Sequence, residues 1–131
     1  MKNKDIITLG NAGFFRAAAH SIPVEHFYKF VKWKRDLQKA YIEIGRTQED
    51  FRKEAGIKME DLQPDAKPDQ EALERYFALN EAFVNEDNPV TAKRIPIEFY
   101  KGLYDENGDL FTDPDIEAIV LDNLFKEDDN E

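Results

Sequence analysis

Two histidines, a single serine and no cysteine limit the nucleophilic and metal chemistry open to this chain. His20 and His26 lie six residues apart across Pro23 and do not share the i, i+4 spacing of helical metal ligands. Ser21 would have to serve as nucleophile beside one of them, on a turn without a glycine elbow. Without cysteine there is no thiolate metal site, no disulfide frame and no cysteine nucleophile. Asp105-Glu106-Asn107-Gly108-Asp109 invites a calcium reading. An EF-hand loop, however, needs Gly at its sixth position and Glu at its twelfth. Counted from Asp105 these are Leu110 and Ile116, and placing Gly108 sixth makes Leu103 first, so the segment reads as a hydrophilic turn. Gly10-Asn11-Ala12-Gly13 is too short for a dinucleotide fingerprint. The 28 acidic residues make chance neighbours certain, and none sits in an apolar context that would raise its pKa for acid–base work. The expectation is no catalytic residue, no metal and no cofactor.

A different chemistry is offered by His26 to Arg35, HFYKFVKWKR, which interleaves aromatic and basic side chains. Surfaces that bind single-stranded nucleic acid combine stacking rings with cations. Lys29, Lys32, Arg35 and Lys39 are the candidate contacts. On a helix, though, most of these rings fall on a core arc, with Lys32, Arg35 and Lys39 on a salt-laced face, so nucleic-acid contact is the secondary reading. Lys34, among apolar neighbours, reads as a snorkelling side chain or the partner of an acid.

The element that positions all of these is Val24 to Ala55, which reads as one long amphipathic helix. Pro23 stands just ahead of it and Ser21 offers a cap. Phe30, Trp33, Leu37, Tyr41, Ile44, Phe51 and Ala55 share one arc at helical spacing, and Val24, Phe27, Val31 and Ile42 lie on another taken to adjoin it. The first half is expected to sit deeper in the core. Lys32–Asp36, Lys39–Glu43, Arg46–Asp50 and Glu49–Lys53 pair opposite charges four apart and mark a solvated face. Gly45 leaves two options, a continuous helix or a restart capped near Thr47.

The remaining segments follow from punctuation. Lys4–Leu9 reads as a short strand, and Ala12–His20 as a helix capped by Asn11. Gly56 ends the long helix. Residues 57–68 form a loop with a helical turn at Met59–Leu62. Asp69 caps a helix over Gln70–Asn85 that returns antiparallel along the first, with Leu73, Tyr76, Phe77, Asn80, Phe83 and Val84 in helical rhythm. Val90–Ile95 reads as a strand whose only apparent partner is Ile6–Leu9. Pro96–Tyr104 reads as a short helix, and Thr112 or Asp113 caps a last helix opened by Pro114. The fold class is therefore mainly α (α+β): a long antiparallel helical hairpin, short flanking helices and a minor two-stranded β-ribbon. It forms a single domain over residues 1–125 with an acidic frayed tail over 126–131. The residues expected to carry the structure are Phe27, Phe30, Trp33, Leu37, Tyr41, Ile44, Tyr76, Phe77 and Phe83.

The net charge of −10 is unevenly spread: residues 1–56 hold 11 Lys and Arg against 7 Asp and Glu, and residues 57–131 hold 7 against 21. Halves of opposite sign attract, within a chain or between chains. No apolar run approaches the roughly 20 residues of a membrane span, and MKNKDIITLG lacks the apolar core of a signal peptide. A cytoplasmic protein without membrane contact is expected.

The order of features also resembles a family of small proteins of unknown function encoded by phages and prophages. A short N-terminal strand and helix precede a long charged helix like KFVKWKRDLQKAYIEI, which is followed by one like ALERYFALNEAFV, then an IPIEFY segment and a closing acidic helix after FTDPD. The resemblance carries no catalytic set. It implies a phage or prophage product. Taken with the residues, the expectation is a non-enzymatic interaction or assembly protein that binds itself or a protein partner, its acidic end from Asp113 able to dock on a basic surface. A nucleic-acid-associated accessory protein is the alternative.

Overall fold

Val24–Glu54 forms one unbroken helix, α2, in the computed structural model, which describes residues 1–63, 67, 69–109, 111 and 113–127. Its 31 residues extend about 46 Å at roughly 1.5 Å per residue. The helix runs straight through Gly45, which is exposed and faces open space. Ser21 does not cap it. Ser21 takes a left-handed φ of 59°, and the Pro23 carbonyl accepts the first helical bonds from His26 and Phe27, both 2.9 Å. At the far end Gly56 adopts φ 79°, its N–H bonding Lys53 O (3.0 Å) while Ile57 N–H bonds Arg52 O (3.0 Å). This pair of bonds is a Schellman motif, and the left-handed step it needs is what glycine supplies without strain.

Segments from both sides of α2 in the chain fold back against it. Helix α3, Gln70–Val84, is capped by Asp69, whose Oδ1 accepts from Glu71 N (3.2 Å). It runs antiparallel to α2. Ala72 joins Ala55 and Ile57 in a small cluster, Gln48 Nε2 donates to Asn80 Oδ1 (2.8 Å), and Phe83 meets the Phe51 ring at 5.4 Å. Helix α4, Pro114–Leu124, starts at Asp113, which accepts from Asp115 N and Ile116 N. Ile116, Val120 and Leu124 recur every four residues and face the main core.

Before α2 the chain departs from the sequence expectation. Lys4–Leu9 is helix, not strand: α1 spans Asn3–Asn11. Asn3, Ile6 and Leu9 recur at three-residue intervals and are buried, and Asp5 Oδ2 accepts the Lys2 N–H (3.0 Å). Asn3 ties this helix to the end of α3. Its Nδ2 donates to Phe83 O (2.8 Å), its Oδ1 accepts from Asn88 Nδ2 (2.9 Å), and its N–H bonds Glu86 O (3.0 Å). Gly10 lets the helix lie against Tyr41, because a Cβ there would overlap the ring. Asn11 is the last residue of α1 rather than a cap for the next element, and it accepts from Tyr41 OH (2.8 Å).

Nor is Ala12–His20 a helix. Gly13 at φ 80° breaks the chain into a 3-10 turn, Phe14–Arg16, followed by strand β1, Ala18–Ala19. β1 pairs antiparallel with β3, Leu103–Tyr104. Val90–Ile95 is extended only at its end. Ile95–Pro96 forms β2, paired in parallel with β4, Phe125–Lys126. Its expected partner is occupied as helix α1. Pro96–Tyr104 is a 3-10 helix over Ile97–Gly102 running into β3. Lys126 thus belongs to a strand, while residues 128–131 of the expected tail, and Thr112, lie outside the described residues.

The main core gathers around Trp33. Phe14 packs edge-on against Trp33 (5.6 Å) and Phe30 (6.2 Å), with Leu37, Ile44, Ile95, Leu103 and the α4 side chains beside them. The first half of α2 lies in this core and the last turns pack mainly on α3, as the sequence expects. Tyr41, Tyr76 and Phe83 are half-buried. Phe27 and Phe77, expected inside, are exposed, and so are Val24 and Ile42. At about 100° per residue Val24 and Ile42 project well away from the Phe30–Trp33–Leu37 arc rather than beside it, where no later element covers them.

Candidate interaction surfaces on the long helix

The sequence-singled polar groups are held in structural roles. Asp105 Oδ1 accepts from Asn107 N (2.8 Å) and Asp109 N (3.0 Å), so its carboxylate closes its own turn. Glu106 pairs with Arg16 at 2.9 Å. Among the described residues no three His, Asp or Glu side chains gather in a way that could hold a metal ion. His20 packs at a tilt against Tyr104 and His26 against Phe99, each with centroids 5.3 Å apart. Lys34 Nζ donates to Ala17 O (2.9 Å) and lies 5.1 Å over the Phe30 ring. Burial pushes its pKa down, and its partner is a carbonyl and a ring rather than an acid.

Of the four expected ion pairs along α2, Lys32–Asp36 forms at 2.8 Å. Arg46 turns back to Glu43 (2.8 Å) instead of reaching Asp50. Arg52, not Lys53, takes Glu49, because its guanidinium also donates to Ile57 O at the helix end and is drawn toward that cap.

Two surfaces remain. The first is apolar. Val24 is 71% exposed, Tyr28 68% and Phe27 38%, with the Phe27 and Tyr28 rings 6.3 Å apart. Lys32 follows Tyr28 by one turn and Arg35 follows Val31 by one turn, so cations rim the patch. A counterpart sits on α3. Phe77 is 56% exposed, with Glu74 and Glu81 exposed one turn before and after it.

The second surface is a cleft of about 170 Å³ between α2 and the segment 91–93, lined by Lys29, Lys32, Trp33, Thr91, Ala92 and Lys93. Lys29 Nζ contacts His26 Nδ1 (3.2 Å) and donates to Arg94 O (3.4 Å). Of the four expected nucleic-acid contacts, the fold brings Lys29 and Lys32 to this cleft and leaves Arg35 and Lys39 outside its lining. Lys93 is the residue that sequence spacing missed, since it lies 64 positions from Lys29. No protein-family model, curated protein or solved structure matches this chain.

Proposed function

We propose that this chain is a non-enzymatic assembly protein that binds a second copy of itself, and that it is a phage or prophage product of the kind its sequence features after Pro23 resemble. The observation that carries the reading is the exposure of Val24, Phe27 and Tyr28 at the start of α2 inside a rim of Lys32 and Arg35. Aromatic side chains clustered on a surface are typical anchors of protein contacts. The occupant that fits is the acid-rimmed Phe77 face of another copy. The two patches carry opposite charge and each offers an aromatic group. They cannot meet within one chain. Phe77 lies one turn from Asn80, which contacts Gln48, and Gln48 stands about 30 Å along α2 from Tyr28. Two copies packed antiparallel about a two-fold axis, each basic patch against the acidic patch of the other copy, would satisfy both patches at once. No helix among the described residues is long and apolar enough to cross a membrane.

The test is solution mass against concentration. The wild type should shift from monomer to dimer mass, and Tyr28→Ala or Phe77→Ala should hold it at monomer mass. Arg35→Glu and Glu81→Arg should each weaken the dimer, and an equimolar mixture of the two should restore it. A wild type that stays monomeric at every concentration overturns the reading. Salt-sensitive retention on nucleic acid that disappears when Lys32, Arg35 and Lys39 become Ala would replace it with the nucleic-acid alternative.

A further inference from the structure

We infer that the cleft between α2 and residues 91–93 is a binding site for a dianionic phosphate group. Three lysines line it, Lys29 and Lys32 from the helix and Lys93 from the facing segment, and no acidic residue does. Asp36, bound to Lys32 at 2.8 Å, offsets one of the three positive charges. The balance left is two, which matches a phosphate monoester or inorganic phosphate and exceeds what a singly charged carboxylate or an internal phosphodiester would neutralise. Two of the cations have no acidic partner among the described residues. Lys29 contacts only His26 Nδ1 and a backbone carbonyl, and Lys93 has no hydrogen-bond or ion-pair partner among the described residues.

A second observation lies in the wall of the same cleft. The indole Nε1 of Trp33 is the one buried side-chain nitrogen or oxygen without a hydrogen-bond partner among the described residues. Buried donors are nearly always paired, and leaving one unpaired is costly. Trp33 itself lines the cleft, and a phosphate that displaces this wall enough to reach Nε1 would give the buried donor the acceptor it lacks; Thr91 is a further polar residue of the lining. The size of the cleft decides the class of ligand. About 170 Å³ is well below the roughly 300–1,000 Å³ of pockets that enclose whole organic ligands. It accommodates one charged group and leaves the rest of the molecule outside. This inference is separable from self-association, since the two surfaces share only Lys32, while Lys29, Trp33 and Lys93 belong to the cleft alone.

Trp33 is the only tryptophan in the chain, so its fluorescence reports directly on the site. Inorganic phosphate titrated into the full chain at fixed ionic strength should give a saturable change. Half-saturation is expected near about 1 mM, the strength of a few charge-assisted hydrogen bonds facing solvent. Lys93→Ala, an exposed position, should weaken binding about tenfold or more, while Lys39→Ala, on the same helix but outside the lining, should leave it unchanged. Ribose 5-phosphate binding more tightly than phosphate identifies a phosphomonoester as the source, and equal binding identifies free phosphate. The inference fails if phosphate gives no saturable change. It fails equally if acetate binds as well as phosphate, or if Lys39→Ala and Lys93→Ala weaken binding alike, since nonspecific attraction to a basic face then accounts for the signal. It also fails if a single-stranded oligonucleotide lacking a terminal phosphate outcompetes the monoester.

Discussion

The two ends of α2 are held by different means. Its stretch from Phe30 to Ile44 lies in a core of fourteen buried side chains drawn from the N-terminal segment, α2 itself, the strands and α4, including Phe14, Leu103, Val120 and Phe125. Its last turns rest on a cluster with three buried members, Ala55, Ile57 and Ala72, helped by half-buried Leu73 and Tyr76. Burial stabilises the first end, and backbone termination with a few polar bonds stabilises the second. A helix can thus be continuous in geometry yet uneven in stability, with opening expected first where contacts are fewest.

Removing one large side chain from each end gives the sharpest contrast. Phe14→Ala empties a fully buried site between Phe30 and Trp33 and should cost about 3–5 kcal/mol in denaturant unfolding, the range for buried aromatic truncations. Ile57→Ala should cost about 2 kcal/mol, the low end for its class, because its small cluster borders solvent and can collapse. Hydrogen exchange should separate them further. Ile57→Ala should speed exchange in 52–57 and 70–76 while leaving 30–37 protected, whereas Phe14→Ala should speed both regions together. Equal acceleration of both regions by Ile57→Ala would mean that the ends form a single cooperative unit.

This contrast also explains which parts of the fold could be read in the sequence. The long helix was legible because its apolar spacing persists over 31 residues, and the ends at Gly56, Asp69, Asp113 and Pro114 were legible because these residues act locally, whereas Ser21 and Asn11 do not cap. The N-terminal segment was not. Ile6, Ile7 and Leu9 fit a strand and a helix equally, and the deciding group is Asn3, whose side-chain partners lie 80 and 85 positions away. Val90–Ile95 was misread for a related reason. The N–H of Val90 is taken by the Asn88 side chain (3.0 Å), so its β-branched residues begin in a turn and only Ile95 reaches a partner strand. The two surfaces divide in the same way. The basic residues of α2 are visible as a helical stripe, but the cleft exists only because the chain returns Lys93 to Lys29, and no spacing rule encodes that return.

Two glycines, one inside α2 and one just past its end, sharpen the comparison with smaller effects of opposite sign. Gly45→Ala should raise stability by about 0.5–1 kcal/mol, since the position is helical and exposed with open space around it. Gly56→Ala should lower it by roughly 1 kcal/mol, since a Cβ at φ 79° is strained however much room it has. The loss should appear as faster exchange at the distal end. A stabilising Gly56→Ala would show that the Schellman turn does not hold that end.

The smallest effect isolates the polar part of the distal clamp. Arg52 donates to Glu49 through Nε at 2.9 Å and through Nη2. This hydrogen bonding holds the Glu49 carboxyl below the usual glutamate range. A depressed carboxyl pKa means that the unfolded chain binds the proton more readily than the folded one. The pair's contribution is therefore present at neutral pH and lost as the pH falls below about 4.3 through the folded value. Glu49→Gln should remove that acid-dependent step from the distal amides of 49–57 and leave the exchange of 30–37 on its wild-type pH profile. The change should be slight and should shrink with added salt, because Glu49 faces solvent and exposed pairs are screened. Arg52→Lys tests the same clamp from the other partner. An ammonium cannot hold both the Glu49 carboxylate and the Ile57 carbonyl with the guanidinium's fork, so Arg52→Lys should loosen the distal turn at neutral pH, where Glu49→Gln leaves the Ile57 bond in place.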